Sequence, residues 1–130
     1  MASLVKTDWE IITGSPSPEF LKAMRELKHI PELGFYFERA DYYDAVDFDD
    51  SVFRVATSLR SNEELIGKLH LILIDEFQDF NAMEATLIET LAEQNAIVIA
   101  GDDDQALYSR LRSASWDHIR SLHSGGKYDV

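Results

Sequence analysis

Apolar and polar positions divide the chain into a helical front half and a strand–helix–strand back half. Residues 1–17 carry little periodicity. Trp9–Ile12 is compatible with a short strand, and Gly14-Ser15-Pro16-Ser17-Pro18 has the composition of a turn or linker. Ser17 is placed to cap a helix with Pro18 at its first position. Phe20, Met24 and Leu27 follow at helical spacing, and Pro31 closes the segment. From Glu32 to Tyr43 the chain is dense in aromatics (Phe35, Tyr36, Phe37, Tyr42, Tyr43) without a clear period. Such side chains pack against a neighbour or stack on bases, and packing is the commoner use. Asp47 can cap a second helix with Val52, Phe53, Ala56 and Leu59 on one face. Ser61 and Glu64 have capping-box spacing and predict a short helix over 62–67.

Leu69-His70-Leu71-Ile72-Leu73-Ile74 is a nearly unbroken apolar run that ends in Asp75-Glu76. Continuous apolar character of this length predicts a strand buried on both faces, as in a parallel sheet. Ala82–Gln94 is amphipathic with Leu87, Ile88 and Leu91 facing inward, and Ala96–Ala100 reads as a second buried strand. These elements predict one right-handed βαβ unit, hence the α/β class with parallel strands and flanking helices. Further on, Ser115 is placed to cap a helix through Ile119 and Leu122, and Tyr128-Asp129-Val130 looks like the beginning of a strand.

Composition removes several classes of function. With 45% hydrophobic residues the chain has material for a core. It has no cysteine, so neither a disulfide framework nor a thiolate metal site is available. No apolar run approaches the roughly 20 residues needed to span a bilayer, and Met1–Lys6 has no signal-peptide character. A soluble, cytoplasmic protein without a membrane partner is expected. Net charge is −12, from 24 acids against 12 bases, which argues against a stand-alone nucleic-acid binder. Arg110, Arg112 and Arg120 form a modest basic group.

The chemistry concentrates at the strand ends, where open α/β sheets bind ligands. An Asp there can hold magnesium, and a Glu beside it can orient or deprotonate a water attacking a phosphoryl group. A divalent cation stabilises both as anions. The second strand ends in Gly101-Asp102-Asp103-Asp104-Gln105, whose amide can donate to a phosphate oxygen and accept from water. Either acidic cluster alone is compatible with a solvated turn or a helix cap. Two on consecutive strands, each followed closely by a glutamine, are harder to dismiss, and are compatible with phosphate chemistry or with binding of a divalent metal without nucleotide.

Leu73-Ile74-Asp75-Glu76-Phe77-Gln78-Asp79-Phe80-Asn81 resembles motif II, the Walker B element, of the UvrD/Rep/PcrA-like superfamily-one DNA helicases. Gly101-Asp102-Asp103-Asp104-Gln105-Ala106-Leu107-Tyr108 resembles their motif III, and Asp47-Phe48-Asp49-Asp50 resembles the family's acidic-aromatic helix start. The resemblance covers about residues 46–130. It implies part of a P-loop NTPase (RecA-like) motor domain over 46–130, with 1–45 an unassigned helical and aromatic segment, part of an inserted subdomain. It further implies Asp75 as the Mg2+ residue, Glu76 as catalytic base, and Gln78 near the γ-phosphate and attacking water. Gln105 would sense the γ-phosphate and, with Asp102, Asp103 and Asp104, couple hydrolysis to movement. Tyr108 and Arg112 would reach single-stranded DNA. ATP, Mg2+, single-stranded or partly duplex DNA and the remaining helicase domains are the implied cofactors and partners, and DNA repair the implied setting.

The sequence also departs from the pattern. After the tyrosine the family carries a spacer, an aromatic residue and Arg-Gly-Ala, whereas this chain has Ser109-Arg110-Leu111-Arg112-Ser113-Ala114. An aromatic platform contributes about 1–3 kcal/mol per stacked base, which Leu111 cannot supply. No segment matches the phosphate-cradling pattern G-x-x-x-x-G-K-[ST]. The expectation is therefore a helicase fragment inactive by itself. The alternative is a stand-alone, non-catalytic remnant acting as a protein-interaction module.

Overall fold

The computed structural model describes residues 1–101; the helix expected from Ser115 and the strand expected at 128–130 lie outside them. Helices α1 (Ala2–Thr13), α2 (Phe20–Arg25), α3 (Leu33–Tyr42) and α4 (Phe48–Ser61) come first. Strand β1 (Ile72–Ile74), helix α5 (Ala82–Ala92) and strand β2 (Ile97–Ile99) complete the described fold.

The N-terminal stretch is helical where a short strand over Trp9–Ile12 was expected. Val5 and Trp9 lie one helical turn apart and both turn into the core, and Gly14 ends the helix in the left-handed region at φ 67°. Helix α2 is shorter than its spacing predicts. It starts at Phe20 because Ser17 donates its hydroxyl to the Pro18 carbonyl instead of capping, and Phe20 N–H donates to the same oxygen. It ends before Leu27, which adopts φ 51°. Pro31 therefore opens the next helix's first turn, its carbonyl accepting from Gly34. The aromatic stretch is a regular helix, α3, with Leu33, Tyr36 and Ala40 buried along one stripe.

Asp47 caps α4 as expected, accepting from Phe48 N–H at 2.8 Å. At the far end, Asn62 rather than Ser61 caps the following 3₁₀ turn Glu63–Leu65. The Ser61 hydroxyl bonds back to the Thr57 carbonyl.

Rings link the first four helices. Trp9 meets Phe20 and Phe35 edge-on at 5.9 and 5.1 Å, Phe20 meets Tyr36 at 5.5 Å, and Phe37 stacks on Phe53 at 5.9 Å. Each such pair adds about 0.5–1.5 kcal/mol beyond its burial. Most of the aromatic stretch therefore serves packing. Tyr42 remains exposed.

Two ion pairs with buried carboxylates hold this block, one between α2 and α4 and one within α4. Asp49 and Asp50, in the first turn of α4, are almost wholly removed from solvent. Asp49 Oδ2 accepts from Arg25 of α2 at 2.6 and 2.9 Å, and Asp50 Oδ1 accepts from Arg54 at 2.7 Å. The guanidinium of Arg54 also lies 4.8 Å above the Phe37 ring.

Helix α5 separates two cores. Met83 and Leu87 join the helical core with Val5, Met24 and Tyr36, while Ala85 and Ile88 pack with Phe77 against Ile74, Ile97 and Ile99. The strands are parallel with Ile72, Leu73 and Ile74 opposite Ile97, Val98 and Ile99, as the βαβ pattern predicts. Among the described residues, burial on both faces is not observed. Leu73 is 71% and Val98 54% exposed, because α5 covers only one side of the pair.

Truncating Arg25 to Ala leaves Asp49 buried without that cation. The expected loss is about 3 kcal/mol, with most of it recovered in Arg25→Met/Asp49→Leu, as read by urea denaturation. Tyr36 gives a second test. Burial, then the charge of Asp50, pushes its phenol pKa up, and its hydroxyl has no hydrogen-bond partner among the described residues. In the unfolded chain a tyrosine ionises near pH 10, so this group's contribution is complete below pH 10 and declines above it. Tyr36→Phe should match the parent within about 1 kcal/mol at neutral pH. Above pH 10 it should escape a loss approaching 1.4 kcal/mol per pH unit.

Candidate functional site

Parallel pairing with Ile74 opposite Ile99 brings the ends of both strands to one edge, so Asp75-Glu76 and Ala100-Gly101 emerge together. The register continues beyond the strands. Ala100 N–H donates to Ile74 O at 2.8 Å, and Phe77 N–H donates to Ala100 O at 3.1 Å. The acidic turn after β1 is thereby tied to the end of β2.

Glu76 occupies the left-handed region, at φ 53° and ψ 42°. For a residue with a Cβ this costs about 1–2 kcal/mol, and such strain concentrates at functional sites. Its own N–H donates to Asp75 Oδ1 at 2.9 Å, and its carbonyl accepts from Asp79 N–H at 2.9 Å. The turn sends the next two residues inward. Phe77 packs beneath the strands and Gln78 is buried, while Asp75 and Glu76 stay in solvent. From its buried position Gln78 donates its amide N–H to Glu76 Oε2. Three of the expected site residues, Asp75, Glu76 and Gln78, thus meet in one turn. Asp102, Asp103, Asp104, Gln105, Tyr108 and Arg112 lie outside the described residues.

The anchor of this turn was not anticipated from the residues. Asn81 and Glu84 form a reciprocal capping box: Glu84 N–H donates to Asn81 Oδ1 at 3.1 Å, and Asn81 N–H to Glu84 Oε2 at 3.0 Å. Both residues are buried. The Asn-x-x-Glu spacing was the available signal. Asp79 was overlooked as well. Its Oδ1 is buried without a hydrogen-bond partner among the described residues.

The donor set fits magnesium in one particular way. Among the described residues no cluster of three acids, histidines or cysteines could hold an ion alone. Magnesium commonly uses one or two carboxylates and completes its shell with water and substrate phosphates. Asp75 suits that use: Glu76 N–H takes one oxygen, Oδ1, and its side chain remains accessible at the strand end.

Residues 20–125 match the UvrD/REP helicase N-terminal domain. The chain belongs to that family. UvrD/REP N-terminal domains have the P-loop NTPase fold, and the helices with a small parallel sheet seen here agree with that α/β class. The chain is similar to the ATP-dependent DNA helicase Rep of Escherichia coli, with 30% identity over 79% of this chain and 16% of that protein. Rep of Buchnera aphidicola (subsp. Baizongia pistaciae) is 34% identical over 67% of this chain and 14% of its own length. The ATP-dependent DNA helicase srs2 of Schizosaccharomyces pombe is 40% identical over 59% of this chain and 8% of that protein. The chain thus spans about one-sixth or less of the curated relatives it matches. Among the described residues of this UvrD/REP-family chain, no helix is long and apolar enough to cross a membrane.

The strain at position 76 is measurable. Glu76→Gly and Glu76→Ala both remove the carboxylate and its bond to Gln78, but only glycine relieves the left-handed backbone. The glycine variant is expected to be about 1 kcal/mol more stable than the alanine variant in urea denaturation. Equal midpoints would mean that Glu76 is not held at positive φ.

Proposed function

We propose that this chain is a segment of an ATP-dependent DNA helicase or translocase, contributing the magnesium-binding and water-activating part of a composite ATP site. The observation that carries the reading is the turn after β1. In a member of the UvrD/REP family it presents Asp75 and Glu76 to solvent while the buried Gln78 bonds to Glu76. Residues 46–130 are read as part of the first motor domain, and residues 1–45 as a helical and aromatic segment, part of an inserted subdomain.

In this reading Asp75 holds Mg2+, which when bound neutralises charge on the nucleotide phosphates. Glu76 accepts a proton from the attacking water, and the Gln78 amide fixes which carboxylate oxygen faces it. Gln105, with Asp102, Asp103 and Asp104, follows β2 in the sequence and is assigned the role of sensing the γ-phosphate. Tyr108 and Arg112 are assigned the contact with single-stranded DNA. Phosphoryl transfer is catalysed by positioning and charge stabilisation, so a site without the phosphate-cradling loop loses most of its rate. The names of the Rep and srs2 relatives, ATP-dependent DNA helicases, support the choice of ATP and DNA.

The 130-residue chain alone is therefore expected to hydrolyse no ATP above background, with or without single-stranded DNA. In a longer protein carrying this segment and a Walker A loop, Glu76→Gln should lower kcat by about 10²–10⁴-fold. DNA-stimulated turnover by the chain alone, abolished by Glu76→Gln, would overturn the composite-site reading. Undiminished kcat in the longer Glu76→Gln protein would remove Glu76 from the chemistry.

A further inference from the structure

Asp75 and Glu76 are exposed, but the groups that hold their turn are buried and lead back to the helical block. The Gln78 amide reaches Glu76 from a turn whose Phe77 packs with Ala85 at the start of α5. That helix begins at the Asn81–Glu84 box, three residues after Gln78, so its first turn sets where the Gln78 amide lies. Glu84 is only 8% exposed, and the Asn81 N–H it accepts does not by itself offset the burial of a charge. A cation stands nearby. Helix α2 packs against α4 and α5, with Met24 and Met83 in one core, and the residues that follow these methionines are Arg25 and Glu84. The Arg25 guanidinium is held above its ordinary pKa first by its hydrogen bond to Asp49, against the cost of burial, and then by the charges of Asp49 and Glu84. Arg25 thus serves two buried carboxylates, one on α4 and one on α5.

We propose that Glu84, with Arg25 as its countercharge, is a positioning residue for the Glu76–Gln78 pair. Neither residue touches a reacting group. Both act by fixing the first turn of α5 and, through it, the turn after β1, as reactive groups require of the shell that supports them. A residue of the N-terminal segment thereby helps to aim a carboxylate at the end of the sheet. For what the pair does, this rests on the ATP-site reading; for how the pair is held, it rests on packing and hydrogen bonds alone.

Hydrogen exchange of the Gln78 side-chain amide, followed by NMR in the 130-residue chain, tests it, with the backbone amide of buried Ala56 in α4 as reference. Glu84→Ala is expected to speed Gln78 exchange about tenfold while Ala56 is unchanged. Arg25→Met/Asp49→Leu, which restores the α2–α4 contact without charge, should still speed it several-fold, because Glu84 is left buried without its cation. Adding Glu84→Gln should return the rate to within about twofold of the parent, since glutamine completes a capping box without a charge. Gln78 exchange unaltered by Glu84→Ala, or accelerated only together with Ala56, would overturn the proposal. So would acceleration in the Arg25/Asp49 variant that Glu84→Gln does not relieve. In the longer protein with a Walker A loop, Glu84→Ala should lower kcat about tenfold and leave KM for ATP within about twofold. Loss of kcat in Glu76→Gln but not in Glu84→Ala would overturn this proposal alone. Undiminished kcat in both would overturn the ATP-site reading as well.

Discussion

Burying two adjacent carboxylates at the start of one helix is the constraint around which the described fold is arranged. Asp49 and Asp50 cannot leave water as anions unless cations accompany them, and the favourable end of the helix dipole offsets only part of that cost. Arg25 must therefore come from α2, and Arg54 from one turn further along α4. The first pair fixes α2 against α4. The second holds a guanidinium over Phe37 and so draws in α3. Asp47-Phe48-Asp49-Asp50 acts here as a packing device, with Asp47 capping the helix, Asp49 clamping α2 and Asp50 holding Arg54 within α4.

That helical block positions the candidate site through a single element. Helix α5 turns Met83 and Leu87 to the helical core and Ala85 and Ile88 to the strands, so the sheet inherits its placement from the clamped helices. The turn after β1 is then held from below. Phe77 and Gln78 are buried, Asn81 and Glu84 satisfy each other's backbone, and the left-handed Glu76 redirects the chain. Exposed acids on a buried, hydrogen-bonded support suit a site that meets a mobile phosphate ligand with little reorganisation.

The UvrD/REP family gives this arrangement its context. Strain at Glu76 and a buried amide at Gln78 would be poor choices if stability alone were at stake. Their concentration in one short turn, beside two exposed carboxylates, separates this end of the sheet from the rest of the surface.

Much of this was legible in the residues themselves. The two aliphatic runs specified parallel strands, because strand period and length are local properties of the chain. Asp47 before the Val52–Phe53–Ala56 stripe specified α4 for the same reason. The misread segments depended on distant partners. Trp9–Ile12 looked strand-like until Val5 and Trp9 were seen to face the same core. The α3 stripe of Leu33, Tyr36 and Ala40 was hidden by exposed Tyr42 and half-exposed Tyr43 at its end. The pairing of Arg25 with Asp49, 24 residues away, has no local signature. Nor does the bare side of the sheet, since an apolar run does not record which of its faces a helix will reach. Sequence by itself determined α4, the strand–helix–strand unit and the acids that follow β1. Tertiary structure alone decided which charges could be buried, which face was covered and how Glu76 was turned, because each rests on contacts between segments far apart in the chain.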